Sequence, residues 1–271
     1  MSVKEITDYQ LWDDFIGKSP QGTIFSTVRW MQLFDSPFSI HGYFKGDSLL
    51  GGIASFIEPQ PLTPFQGILV APLEAKYPVI MSRHNEVAEA LMDVCTSKFC
   101  NHYTFPDVRP FKWAGWDVDV KYTYVVTDPA IEKLEKQTRY EITKAWRDTT
   151  VEIEGDWRVF DGLYATTFNR KGLERPVSSE FMGRFFSVIK PWLYVGRNDK
   201  DISAAVIMND SKRSYYILGA SLGHGTSSLT LWTAINNLKE IDLVGCNDKK
   251  ISLFKRGFGG ELKQYHEVRR V

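Results

Sequence analysis

The sequence predicts an α/β (α+β) chain built as two tandem lobes, each a mixed sheet flanked by helices. Three observations carry that expectation. The chain has 271 residues, more than a single core organises comfortably and enough for two cores of about 130 residues each. The second half alternates strand and helix patterns in the order β-α-α-β-β-β-α-β-α-β. The first half runs through a fainter version of the same order, so a duplicated unit explains the pattern better than one irregular domain does.

The punctuation is clearest in the second half. Residues 150–153 alternate around β-branched side chains and read as a strand. Residues 157–170 place Phe160, Leu163, Tyr164, Thr167 and Phe168 at helical spacing. Ser178 is positioned to cap a second helix that carries Phe181, Phe185, Phe186 and Ile189 on one side and ends before Pro191. Strands follow at 193–197, 202–208 and 215–219, separated by turn residues at 198–201 and 209–212. A glycine-containing loop at 223–226 leads into a helix at 228–239. A short strand at 241–244, a helix at 249–256 stopped by Gly257, and a strand at 261–268 complete the series.

The first half is read in the same way. A strand at 3–6 leads to a helix capped by Asp8, and a second helix begins near Val28 and Arg29. Strands run at 39–45, 49–57 and 66–70. A helix at 86–99 presents Val87, Leu91 and Val94, and strands at 103–105 and 121–126 close the unit. The helix expected before Lys121 is broken by Pro110 and Gly115. Residues 129–148 form a charged helical stretch with Ile131, Leu134, Ile142 and Ala145 on its packed side. The expected organisation is therefore a first lobe at 1–127, a linker helix at 128–148 and a second lobe at 149–271.

Composition narrows the function classes. With 33 basic and 33 acidic side chains, the whole-chain charge gives no support to sequence-independent nucleic-acid binding. The charge is unevenly spread: residues 1–125 hold 10 basic and 14 acidic side chains, leaving 23 and 19 for residues 126–271. The second half would draw an anionic ligand, or the two lobes would simply attract each other. Cys95, Cys100 and Cys246 are too few and too odd in number for a disulfide framework, which fits a reducing, cytoplasmic setting. No apolar run is long enough for a membrane span. Cys100 and His102 lack further ligands for a metal, and Cys246 lacks a histidine partner for thiol catalysis.

Five segments then carry a family resemblance. They are Ile24-Phe25-Ser26-Thr27-Val28-Arg29-Trp30; Arg139 with Ile142, Lys144 and Ala145; Asn169-Arg170-Lys171-Gly172; Tyr215 and Tyr216 with Gly219 and Ser221; and Ile241 to Gly245 followed by Phe254-Lys255-Arg256-Gly257-Phe258-Gly259-Gly260. In this order and across nearly the whole chain, they resemble the FemABX peptidyltransferases and related acyltransferases of the GNAT-like superfamily. The resemblance implies two tandem GNAT-like lobes of the acyl-CoA N-acyltransferase fold. It also implies transfer of an acyl or aminoacyl group from a thioester or an aminoacyl-tRNA to an amine. No permanently bound cofactor is expected; acyl-CoA or aminoacyl-tRNA would be a co-substrate, tRNA thus a partner, and a small-molecule or peptide-like amine the acceptor. Fem transferases carry a lysine four residues after the motif's tryptophan. This sequence has Phe34 there and no sign of their helical hairpin insertion, so its donor and acceptor can differ. A competing reading is a non-catalytic module that binds an anionic sugar nucleotide or peptide precursor.

Lys255 heads the catalytic candidates, because the resemblance assigns it to negative charge and a fixed cation is what an oxyanion or phosphate needs. A lysine beside a glycine at a helix C-terminus is also an ordinary dipole-complementing end. The Phe254 carbonyl could accept a proton or orient the amine, and Gly257, Gly259 and Gly260 would let a ligand approach backbone closely. Tyr215 and Tyr216 alternate across a strand, so one phenol faces the core and the other can serve as an acid or a positioning group. Asp242 could pair with a cation or take the amine's proton; alternatively it holds the turn that follows. Gly223, His224, Gly225 and Thr226 occupy the strand-to-helix loop where free amides could cradle a cofactor's phosphates, though a plain loop and cap needs no ligand. Arg139 and Lys144, with Arg147, could bind phosphate or carboxylate, or form a solvated face. Arg170 and Lys171 close a helix and could join that site, and Trp30 is the substrate-binding candidate in the first half.

Overall fold

The computed structural model describes residues 1–95, 98–223, 225–238 and 240–271. Its elements follow in chain order. The first half contains β1 (Ser2–Glu5), α1 (Tyr9–Lys18), α2 (Val28–Met31), β2 (Phe38–Lys45), β3 (Ser48–Phe56), β4 (Leu69–Val70), α3 (Tyr77–Leu91), β5 (Lys98–Asn101), α4 (Arg109–Trp113) and β6 (Asp117–Thr127). The second contains α5 (Lys136–Ala145), β7 (Thr150–Ile153), α6 (Trp157–Lys171), α7 (Ser179–Ile189), β8 (Trp192–Arg197), β9 (Ile202–Asn209), β10 (Ser214–Leu222), α8 (Ser227–Asn236), β11 (Glu240–Asp242), α9 (Lys249–Arg256) and β12 (Glu261–Arg269). None of the described helices is long and apolar enough to cross a membrane.

The chain divides into two compact units, Met1–Lys121 with Gln264–Val271, and Tyr122–Lys263. It passes from one to the other within β6 and returns within β12. Unit 1 holds an antiparallel sheet in the order β1-β2-β3-β4, and β5 pairs with the end of β12. Asp8 caps α1 by accepting from the Gln10 and Leu11 amides, each at 3.1 Å. Val87, Ala88 and Leu91 turn one face of α3 onto Ile53, Ile68, Phe105 and Phe111, giving this unit its own core.

In unit 2 the strand order is β6-β11-β10-β9-β8-β7. Leu229, Leu231, Trp232, Ala234 and Ile235 make α8 buried nearly all round, packed with Ala205 and Ile207 of β9. Ser178 caps α7 through the Phe181 amide at 3.1 Å, as its position predicts.

Several boundaries differ from the sequence reading. Residues 128–148 do not stand between lobes: they comprise a short 3-10 turn at Ile131–Lys133 and α5, and Leu134, Ile142 and Ala145 are buried in the core of unit 2. The chain's last eight residues fall in unit 1. The helix expected at 86–99 is α3, which starts nine residues earlier, with Pro78 in its first turn, and gives way at Leu91 to a 3-10 turn. A proline costs nothing there, because the first amides of a helix have no partner inside it. The strand expected at 103–105 lies instead at β5. Pro110 likewise opens α4 rather than breaking it.

Candidate functional site

In unit 2 two neighbouring parallel strands part. Among the described residues, β10 and β11 pair at Ser214 with Ile241 and at Tyr215 with Asp242. Just beyond, the register of β10 against β9 slips between Tyr216 and Leu218, a bulge that re-aims side chains at the point of separation. On the β11 side the chain leaves through Val244 and Gly245, both left-handed at φ 44° and 58°. For a β-branched residue this conformation is strained, and such strain persists only where surrounding contacts enforce it.

Those contacts come from two of the sequence candidates. Asp242 is 0% exposed, and its Oδ1 accepts from the Val244 amide at 2.8 Å and from the Thr123 hydroxyl. Lys255, on α9, is 8% exposed and donates from Nζ to the Val244 carbonyl and, at 3.4 Å, to that of Gly245. One ionisable side chain thus holds each side of the strained residue, Asp242 its amide and Lys255 its carbonyl. The Lys255 ammonium also lies 5.3 Å from the centroid of the Tyr216 ring, a cation–π distance.

The electrostatics follow from burial. Asp242 Oδ2 is buried with no hydrogen-bond partner, and desolvation pushes this carboxyl up to about 6 against the opposing pull of its two hydrogen bonds. Desolvation lowers the Lys255 ammonium, with Cys246 and Asp242 opposing. The Tyr216 phenol is pushed up to about 12 by burial. It sits where a Gly219 Cβ would be 1.9 Å from its oxygen, so only glycine at 219 leaves room for it. Tyr215 is the core-facing tyrosine of the pair, 0% exposed, with its hydroxyl donating to Asp210 Oδ2 at 2.8 Å.

Local sequence builds α9 at this spot. Asp248 caps it through the Lys250 and Ile251 amides at 2.9 and 3.0 Å, and Phe254 packs edge-on against Phe258 at 5.3 Å. The glycines after Lys255 serve the chain rather than a ligand. A Cβ on Gly257 would lie 2.0 Å from Thr138 Oγ1, and one on Gly259 2.4 Å from the Lys133 carbonyl oxygen. These glycines let α9 dock against the segment leading into α5, where Arg256 pairs with Glu135 at 2.7 Å.

The other sequence candidates have surroundings of their own. Of the loop 223–226, His224 is outside the described residues. Gly225 donates its amide to Asp201 Oδ2 at 3.0 Å, and a Cβ on Gly223 would meet the other oxygen of that carboxylate at 1.6 Å. An internal acid therefore stands against this loop. Thr226, at the start of α8, is buried with its hydroxyl unpartnered. Arg139 donates from Nη2 to the Glu132 and Leu134 carbonyls at 3.2 and 3.0 Å; Lys144 is exposed on α5. Arg170 and Lys171 are exposed at the end of α6, before a depression of about 440 Å³ lined by Asn169, Leu173, Glu174 and Arg175. Trp30 is 0% exposed in unit 1 and packs edge-on between Phe25 and Phe34 at 5.2 and 5.8 Å. Its ring is a core element there. Thr123, Val244 and Asp201 were missed by sequence reading: nothing local marks Val244 as left-handed or Thr123 as the partner of a residue 119 positions away.

No family model and no curated protein matches the sequence. Solved structures do match. A crystal structure of FemX superposes with a TM-score of 0.67 at 14% identity, covering 98% of this chain and 97% of that one. A tandem GNAT protein from the clavulanic acid biosynthesis pathway gives 0.54 at 9% identity, with the same two coverages of 98% and 97%. These likenesses establish the fold as two GNAT-like lobes in tandem, and the resemblance read from the sequence holds at that level.

Proposed function

We propose that the chain is an N-acyltransferase that moves an acyl or aminoacyl group from a thioester or aminoacyl-tRNA onto an amine, at the parting of β10 and β11 in unit 2. The observation that carries this reading is the buried Lys255 ammonium, held beside the Tyr216 phenol and against a strained turn. In the reaction the amine attacks the donor carbonyl, forming a C–N bond and a tetrahedral oxyanion. The attacking nitrogen gives one proton to solvent; collapse then breaks the bond to the thiol or ribose oxygen, whose departing anion takes the phenolic proton, and solvent reprotonates the phenolate. Lys255 supplies fixed positive charge for the oxyanion. Tyr216 is the proton donor to the leaving group, its high pKa keeping it protonated at neutral pH. The Phe254 carbonyl orients the amine, and Asp242 positions Val244. Positioning and charge, with no covalent intermediate, account for the rate. Three free cysteines suit a reducing, cytoplasmic setting.

A second reading has its own support. The Lys255 ammonium already has two carbonyl acceptors and an aromatic face, and Asp201 stands where a phosphate would meet the amide of Gly225. A module that binds an anionic sugar nucleotide or peptide precursor without turnover would share those features. Single-turnover assays with acyl-CoA and aminoacyl-tRNA donors separate the two. Transfer by the intact protein, falling about 10²–10³-fold in Lys255→Met, is the expected result, the size seen when one oxyanion donor is lost. No transfer with any donor, together with tight binding of an anionic precursor, favours the binding module.

A further inference from the structure

Unit 1 contains a partly enclosed cavity of about 110 Å³ that the acyl-transfer reading does not use. Its walls include Val70, Pro72, Leu73 and Ile80, and two polar side chains, Arg83 and His84, line it as well. By the scale of the ~150 Å³ cavity that accepts benzene, it holds about four to six non-hydrogen atoms, far below a nucleotide or a drug-sized ligand.

Both polar groups are fixed in place with hydrogen-bonding capacity unspent. His84 is 5% exposed and stacks flat on Phe105, with centroids 4.9 Å apart and planes 7° from parallel. Its Nδ1 is buried without a partner, and an unmet buried donor or acceptor is costly enough to call for an explanation. Burial lowers its pKa against the pull of Asp107, so the ring is neutral at pH 7 and offers one N–H. Arg83 is pinned through Nε alone, to Glu86 Oε2 at 3.1 Å. The other oxygen of Glu86 accepts from the Tyr43 hydroxyl at 2.9 Å. Among the described contacts, both terminal nitrogens of the Arg83 fork are therefore uncommitted, and that fork matches a carboxylate.

We propose that this cavity binds a compact branched aliphatic carboxylate, its alkyl group against Val70, Leu73 and Ile80 and its carboxylate held by the Arg83 fork, with the His84 ring forming part of the wall. Arg83 selects the charge, and the cavity's size selects the alkyl group. This proposal is independent of acyl transfer, since no residue of the unit 2 site takes part.

Isothermal titration of the full chain with isobutyrate, acetate, octanoate and isobutanol tests it. Isobutyrate is expected to bind about tenfold or more tightly than each of the others, a preference worth about 1.4 kcal/mol. Arg83→Gln is expected to remove the preference over the alcohol, and Ile80→Trp, which fills the cavity, to abolish saturable binding of both; circular-dichroism melting verifies that each variant is folded. Absence of saturable isobutyrate binding overturns the proposal. So does affinity that keeps rising to octanoate and survives Ile80→Trp, the behaviour of non-specific apolar partition.

Discussion

Asp107 in unit 1 and Asp242 in unit 2 are the same side chain, 9% and 0% exposed, Asp242 lying the deeper of the two, and their carboxyls shift in opposite directions. Asp107 has a cation in hand: Arg109 forks onto it at 2.9 and 2.6 Å and holds its carboxyl down at about 2. Glu267, the other buried acid described in unit 1, is likewise paired, with Lys98 and Arg269 at 3.1 Å each. Asp242 receives only neutral donors and keeps one oxygen bare, so desolvation wins and raises it to about 6. Charge neutralised at short range supports a fold. Charge left under tension beside a strained turn is the arrangement expected where chemistry is done.

The largest effect that tests this contrast is its pH dependence. Asp242 is raised in the folded state above its ordinary 3.8. Its contribution therefore favours folding most below pH 4 and is lost as pH rises through 6. A carboxyl held near 6 rather than 3.8 corresponds to about 3 kcal/mol. Asp107 behaves oppositely: its contribution is present above pH 4 and is lost as pH falls toward 2. Urea denaturation across this range should show Asp242→Asn removing the pH 4–6 slope and Asp107→Asn removing the one below pH 4. Identical profiles for wild type and Asp242→Asn would erase the distinction between the units.

A smaller effect separates how tightly the units close on their glycines. A Cβ on Gly67 in unit 1 would lie 2.6 Å from Asn101 Cα and 2.7 Å from the Cys100 carbonyl oxygen, backbone atoms that cannot step aside. On Gly257 in unit 2 the first obstacle is the Thr138 hydroxyl, a rotatable group, and the nearest backbone atom is 3.2 Å away. Gly67→Ala should cost about 2–3 kcal/mol and Gly257→Ala about 1 kcal/mol, read as shifts of the urea midpoint at constant slope. Equal losses would mean that α9 is packed as rigidly as the unit 1 sheet.

Legibility in the sequence follows the same division. The second unit's strands and helices were readable because cap, periodicity and stop residues coincide: Thr150–Ile153 and Lys249–Arg256 fall where the pattern puts them, and Asp8 and Ser178 cap their helices. The residue types of the candidate site were readable in the sequence, and Lys255, Asp242 and Tyr216 lie together near the parting strands. What they bond to was not. Lys255 meets a carbonyl made available by the left-handed Val244, and Asp242 meets Thr123 across 119 positions. The glycines after Lys255 looked like room for a ligand and are room for residues 133–138. The phosphate-like loop at 223–226 could not reveal that Asp201, one strand away, stands against it.

The smallest stability effect distinguishes two tyrosines and bears most directly on function. The Tyr43 hydroxyl in unit 1 donates to Glu86 at 2.9 Å and so helps hold the acid that pins Arg83. Tyr43→Phe should cost about 1 kcal/mol, the usual net worth of such a hydrogen bond. The Tyr216 hydroxyl has no hydrogen-bond partner among the described residues, and its ring still faces Lys255 when the oxygen is removed. Tyr216→Phe should therefore move stability by less than about 0.5 kcal/mol while slowing transfer with thioester donors. If the phenol protonates the leaving group, the defect should shrink as the leaving thiol becomes more acidic, because a better leaving group needs less help. A defect that stays constant across a series of thioesters would assign Tyr216 to positioning Lys255 instead. A measurable stability loss would show that its oxygen is committed to the fold after all.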